Sequence, residues 1–349
     1  VDAWPVSRRA AQLVAVPVLG ADPAAVRVAL DQSAGAILLL GTVPTGPQLT
    51  ADLKPAATVR PGPAPMVMVD EEGGPVQRLG ADVEALPSPR QMAATLTPAA
   101  VQQLALTVGR QMLSLGVTVD LAPVLDLDGG PALSATDPDG PRSFSTDPTV
   151  ATAYGVAFAA GLQSAGVLAV AKHFPGLGGA SGNTDYGRAA TPPLTQLERA
   201  GLVPFEKAAS SRIRAVMVAN ATVPGLTAQP ASVSASVITE WLRDRLHFSG
   251  LVMTDSLSAG AISAAGYSVT SAAVAAIEAG ADLVLFGSTL TAGDTAQLAP
   301  GPLAGTTAGV VSAITAAVSS GALPTARLDQ AAIDVVKAKG VDLCSGAGG

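Results

Sequence analysis

The sequence predicts an α/β chain folded as a single (β/α)8 barrel, and three observations carry that expectation. Eight short apolar runs are spread along the 349 residues, helical periodicity fills the gaps, and glycines stand just before several runs. The runs lie at 12–18, 36–40, 66–70, 117–121, 167–171, 215–219, 251–255 and 283–286. They are rich in Val, Leu, Ile and Met with little apolar/polar alternation, which is how strands buried on both faces of a parallel sheet read. Helical stretches fall near 24–33, 99–115, 147–165, 195–210, 235–246, 269–279 and 309–320. In the second of these, Val101, Leu104, Ala105, Val108, Met112 and Leu115 form one stripe, closed by Gly116 at the C-cap. Gly166, Gly250 and Gly280 punctuate later loops in the same way, and Gly321 closes the last helix. A doubly wound open sheet is the second choice, disfavoured because no glycine-rich dinucleotide fingerprint follows the first run. No linker, repeat or low-complexity segment divides residues 1–349, so one domain is expected.

Composition narrows the function. Hydrophobic residues make up 48 % and charged ones 13 %, which excludes intrinsic disorder. With 20 Lys+Arg against 27 Asp+Glu the net charge is −7, and the pI is about 4.8. That balance argues against nucleic acid or an anionic membrane as partner, since either calls for a concentrated basic face. The single cysteine, Cys344, allows no intrachain disulfide and no cysteine-based zinc site. Two histidines, His173 and His247, make a His-rich metal centre unexpected, and neither metal nor cofactor is anticipated. Pure apolar stretches are strand-sized, so no transmembrane segment is expected. No stretch reads as a leader with a basic n-region and an apolar h-region, which leaves export open.

In a barrel, chemistry gathers at the C-terminal strand ends. The third run ends Val69-Asp70-Glu71-Glu72-Gly73-Gly74, and the fourth leads through Asp120 to Pro123 and Asp126. The fifth ends Lys172-His173-Phe174-Pro175-Gly176, followed by a glycine-rich loop to Asp185. The sixth ends at Asn220 and the seventh at Thr254-Asp255-Ser256. One such polar ending is a solvated strand end or a helix N-cap; five in succession line a mouth. A carboxylate-lined mouth with a Lys-His pair suits glycoside cleavage, which needs two acid/base or nucleophilic groups flanking the bond. Charged side chains also hold sugar hydroxyls strongly. Lys172 as a Schiff-base lysine of an aldolase is the other catalytic reading, but it leaves Asp255 and the Asp70 cluster unexplained. No G-x-x-x-x-G-K loop supports ATP chemistry.

Taken in order, the Asp70 segment, Arg142-Ser143-Phe144, the Lys172 segment and Thr254-Asp255 resemble glycoside hydrolase family 3 over about residues 8 to 340. The likeness is greatest to its single-domain β-N-acetylglucosaminidases, among them actinobacterial envelope lipoproteins. The resemblance implies a retaining exo-β-glycosidase, β-N-acetylhexosaminidase-like, acting on terminal sugars of cell-wall glycans. It also implies a carbohydrate ligand, a monomer, and export to the cell envelope with a lipid anchor before processing. Asp255 matches the family's nucleophile, and Asp70, Arg78, Arg142, Lys172 and His173 match the residues that hold the terminal sugar.

The departures from that pattern concern proton transfer. Leu177 stands where the family carries a histidine, Asn183 where the acid/base dyad has its Asp, and Asp185 where the dyad has its His. Asn220 replaces another histidine, and Pro75 stands where an arginine is expected. Asp185 is therefore the expected acid/base, with its pKa raised by burial or by Asp255. A carboxyl is shorter than an imidazole, so the loop 176–187 would have to bring it closer to the bond. Gly176, Gly178, Gly179, Ala180, Ser181 and Gly182 suggest such movement. A sugar-binding protein that keeps Asp70, Arg78, Lys172 and His173 without turnover stays open at this level.

Overall fold

The eight apolar runs become eight parallel strands: β1 (Val14–Leu19), β2 (Ala36–Leu40), β3 (Met66–Val69), β4 (Val119–Asp120), β5 (Leu168–Phe174), β6 (Ala215–Val218), β7 (Leu251–Thr254) and β8 (Val284–Leu285). They pair in the order β8-β1-β2-β3-β4-β5-β6-β7. The seam between β7 and β8 is a single parallel bridge, Met253 to Leu283, with Thr254 N donating to Leu283 O at 3.1 Å. The (β/α)8 expectation is met. The structure is a computed structural model that describes all residues except 2, 59–61, 133–138, 291–295, 299–301 and 342–349. Cys344 lies outside the described residues.

The missing alternation in the strands has a simple cause. Ala36, Leu38 and Leu40 of β2 pack inside the barrel with Met66, Met68, Val170, Met217 and Met253. Ile37 and Leu39, one step out of phase, face the surrounding helices together with Val67, Val69, Val216 and Val252. Each strand alternates between two apolar environments, so its sequence reads as one continuous run.

The helices fall where periodicity places them, with one interruption. The stretch near 195–210 is broken into Leu194–Gln196, a wide π-turn over Leu197–Gly201 and a helix Val203–Ser210. The third piece starts with Pro204 in its first turn, the one place where a missing N–H costs nothing. Helices Val6–Gln12, Gly46–Ala57, Pro89–Thr95 and Thr325–Ala338 are additional. Gly46–Ala57 carries Pro47 and Pro55, which disguise it in the sequence. Among the described residues one helix, Leu303–Ser320, is long and apolar enough by length and composition to cross a membrane, which the strand-sized apolar runs did not suggest. Here its Val310 and Ile314 are seated in the core.

The last helix closes the barrel floor. Val335 of Thr325–Ala338 packs against the interior cluster. Just before β8, the buried Asp282 accepts from Arg243 at 2.5 Å, Arg327 at 2.7 Å and Val252 N at 3.0 Å. One carboxylate thus ties two outer helices to β7. Asp282→Asn keeps the shape and removes the charge, and chemical denaturation should show a loss of about 1.5–3 kcal/mol, the range of charged hydrogen bonds. An unchanged midpoint would contradict this role.

Candidate active site

The mouth is built around a carboxylate that the sequence reading passed over. Past β3 the chain enters a short hairpin, Glu71–Gly73 with Val76–Gln77. Period-two geometry puts Asp70 and Glu72 on one side and Glu71 on the other. Lys172 Nζ accordingly meets Asp70 Oδ1 at 2.7 Å and Glu72 Oε1 at 2.6 Å. Arg142 grips Glu72 with both arms of its fork, Nε to Oε2 at 2.7 Å and Nη2 to Oε1 at 2.8 Å. Burial alone would raise the Glu72 carboxyl, but Arg142 and Lys172 outweigh it and hold it far below the usual range. Burial also works against the Lys172 ammonium, yet Asp70 and Glu72 raise its pKa on balance. A Schiff-base lysine must reach the neutral amine, so this environment opposes the aldolase reading. Asp70, 19 % exposed, is the open end of the network, while Glu72 is sealed.

Glu71 does different work. Its Oε2 accepts from Arg78 N at 2.8 Å and Leu79 N at 2.9 Å, which shapes the turn. Burial pushes its carboxyl up to about 7. Asp120 at the end of β4 accepts Glu71 N at 3.0 Å, and burial raises its pKa well above the ordinary value too. Arg78 is half-buried on this hairpin, and its Nε is buried with no hydrogen-bond partner among the described residues.

His173 is held from behind. The chain after β4 runs beside the end of β5, with Leu125 N donating to Lys172 O at 2.6 Å, which delivers Asp126 to the histidine. Asp126 Oδ2 accepts from His173 N at 3.0 Å and lies 2.6 Å from Nδ1, while its Oδ1 accepts from Leu177 N at 2.5 Å. Burial would lower the imidazole pKa, but Asp126, then Asp139 and Asp255, raise it on balance. With Nδ1 committed, Nε2 is the ring donor left for a ligand. Asp139, fully buried 4.0 Å from His173 Nδ1 and 3.8 Å from Arg142 Nη1, is pushed up to about 8 by burial and by Asp126. Asp126, Asp139 and His173 are the one group among the described residues whose donor atoms would converge on a cation. The Asp126 oxygens and His173 Nδ1 are already spent on hydrogen bonds, and Arg142 stands beside Asp139.

Asp255 follows β7 directly. Its N–H donates to Val218 O at 2.9 Å, and its Oδ1 accepts Ser256 N at 2.6 Å. It caps no helix, since the next one, Gly260–Ala264, begins after Ala259. Asn220 fixes the segment behind it: Nδ2 donates to Ser256 O at 2.7 Å, and Oδ1 accepts from Ser232 Oγ at 2.6 Å. The amide that replaces a family histidine is thus fully occupied in support.

The Asp185 loop differs from the swinging arm that its composition suggests. Ser181 and Ala190 bond to each other twice at 2.9 Å, and Asn183 Oδ1 accepts Asp185 N at 2.9 Å. Ala261 N donates to Thr184 O and Gly260 N to Asp185 O, both at 2.9 Å. Arg188 Nε reaches Ala264 O at 2.9 Å. The loop is therefore sewn onto the segment that follows Asp255. Gly260 makes this approach feasible, because a Cβ there would lie 2.8 Å from Asp185 O. Gly178 does the same deeper down, where a Cβ would meet Leu127 O at 2.2 Å.

An Asp-Lys-Glu-Arg network at the C-terminal mouth of a (β/α)8 barrel, with Asp255 directly after the seventh strand and its charge acting on His173, is the arrangement of a sugar-cleaving class of site. Residues 6–338 match the glycosyl hydrolase family 3 N-terminal domain. The chain belongs to that family. It is 37 % identical over 286 residues to the β-hexosaminidase LpqI of Mycobacterium tuberculosis, covering 80 % of this chain and 69 % of that protein. Among solved structures, a family 3 glycosyl hydrolase from Mycobacterium smegmatis superposes with a TM-score of 0.83 at 38 % identity, covering 97 % and 98 % of the two chains. A β-N-acetylhexosaminidase from Beutenbergia cavernae gives 0.82 at 30 % identity, covering 97 % and 99 %.

Of the sequence-derived residues, Asp70, Arg142, Lys172 and His173 share this network, and Asp255 adds its charge to His173. Arg78 and Asp185 sit on the flanking hairpin and loop. Asp70→Ala should weaken binding of the sugar by about 1.5–3 kcal/mol in calorimetry, because it removes a charged acceptor. Unaltered affinity would place the sugar elsewhere.

Proposed function

We propose that the protein is a retaining exo-β-N-acetylhexosaminidase of cell-wall glycans, working through a glycosyl ester on Asp255. One observation carries this reading. Asp70 is neutralised by Lys172, Glu72 by Arg142 and Lys172, and Asp126 by His173, whereas Asp255 makes no ion pair within 4.0 Å among the described residues. A carboxylate at the mouth with no cation paired to it keeps its negative charge for attack, and its one hydrogen bond among the described residues, from Ser256 N, occupies Oδ1. In the first step Asp255 bonds to the anomeric carbon, the glycosidic C–O bond breaks, and Asp185 gives its proton to the departing oxygen. In the second, water attacks the same anomeric carbon from the opposite face, the bond from that carbon to the Asp255 oxygen breaks, Asp185 takes the water proton, and the Asp255 carboxylate is released. Asp70, Lys172, Arg142, Arg78 and His173 hold the ring hydroxyls. In this reading residues 1–349 act as one barrel domain, a monomer at the cell envelope.

The test is proton NMR of freshly cleaved p-nitrophenyl N-acetyl-β-glucosaminide. The β-anomer should appear first. Initial α-anomer would mean inversion and remove the ester. A second reading has support from Asn183 and Asn220, neutral groups where the family has an acid and a base: a protein that binds the sugar without cleaving it. Calorimetric binding of N-acetylglucosamine with no release from any aryl glycoside would decide for that reading.

A further inference from the structure

Opposite the mouth, the barrel floor holds a cavity of about 230 Å³. The strand starts at Met66, Val119 and Leu168 line it, together with Arg214 just before β6 and Lys339 just after the last helix. Among the described residues, Arg214 and Lys339 are its only ionisable lining residues and no carboxylate lines it. Lys339 Nζ donates to the neutral Gln12 Oε1 at 2.7 Å, and Arg214 Nη2 reaches only the Val167 carbonyl at 3.4 Å. Neither makes an ion pair within 4.0 Å among the described residues, unlike Arg142 and Lys172 at the mouth or Arg243 and Arg327 on Asp282.

Arg214 is exposed and Lys339 half-buried, and two like charges that share one cavity without a counter-charge among the described residues repel each other, which an anion between them would relieve. Burial is the sole cause acting on either: it lowers Arg214 and brings Lys339 down to about 7. The surroundings add to the excess. An adjoining groove of about 440 Å³ shares Arg214 and brings Arg212, His247 and Lys337, and Asp334, its one acid among the described residues, lies 3.3 Å from Lys337. In a chain of net charge −7, positive charge has been gathered at the floor.

We propose that this floor cavity is a binding site for a small phosphate-type oxyanion, distinct from the sugar site, gripped by the Arg214 fork and the Lys339 ammonium. A planar guanidinium pairs two oxygens while a lysine supplies a point charge, a combination that suits a tetrahedral oxyanion. The volume lies below that of drug-sized pockets, so the ligand is an ion or a compact phosphoester.

The probe is sulfate, which keeps its charge throughout the range tested, titrated calorimetrically into the full chain with inorganic phosphate alongside. One saturable site is expected at pH 6. Binding should fall by up to about tenfold per pH unit above 7, because Lys339 must be protonated to bind. Lys339→Met and Arg214→Gln should each weaken sulfate at least about tenfold, a loss of about 1.4 kcal/mol, without altering aryl glycoside turnover. Lys339→Met without sulfate should melt no lower than the parent, since it removes a desolvated charge, and this keeps the test free of folding artefacts. No saturable binding up to about 20 mM, or equal binding in both variants, would overturn the site. So would binding confined to phosphatidylglycerol vesicles, which would make the floor a lipid-headgroup surface instead.

Discussion

Asp255→Asn abolishes turnover while the sugar still binds. A neutral amide oxygen cannot form and release a glycosyl ester, so kcat should fall by about 10⁴-fold or more, the scale of nucleophile deletions. Affinity for N-acetylglucosamine should change by no more than about 1–2 kcal/mol, one hydrogen bond's range. The variant should also fold normally. The contacts holding this position are the backbone bond to Val218 and one to Ser256 N, which the Asn Oδ1 can still accept. Steady-state rates on an aryl glycoside with calorimetry on the same sample check both halves. Undiminished turnover would remove Asp255 from the chemistry.

The second large effect falls on Asp185 and depends on the leaving group. Asp185→Ala should cost about 10²–10⁴-fold on poor leaving groups, which need protonation, and far less on activated aryl glycosides. Azide should partly restore turnover of an activated substrate, because that anion attacks the ester without a general base. The loop should keep its place in the variant, since the bonds from Gly260 and Ala261 use the Asp185 and Thr184 carbonyls. Loss of rate can then be read as loss of proton transfer. Equal losses on good and poor leaving groups, with no azide rescue, would exclude Asp185.

The barrel was legible because both faces of its strands are apolar, and a run such as 36–40 can hardly be anything else in a chain of this pattern. The helix Gly46–Ala57 was not, because its two prolines imitate a loop. At the site, Asp70, Lys172 and Asp255 stand at strand ends and could be located from the runs. Glu72 could have been found by the same reasoning, since it is two residues beyond Asp70 and period two puts both on one side. What no pattern could show is its partner, because Arg142 lies 70 residues away. Asp139 is hidden for the same reason: its link to His173 exists only once β4 and β5 lie side by side. The glycines from Gly176 to Gly182 misled in an instructive way. Some of them suggested movement, yet Gly178 lets the loop pack against the Leu127 backbone.

The most direct measurement is intact-mass spectrometry after exposure to a 5-fluoro N-acetylglucosaminyl fluoride, which keeps the 2-acetamido group and slows breakdown of any ester. The expected result is one added glycosyl unit, mapped by peptide digestion to Asp255 and absent from Asp255→Asn. An enzyme that turns over aryl glycosides yet gains no adduct, or carries it on another residue, would contradict the assignment of Asp255 as the nucleophile.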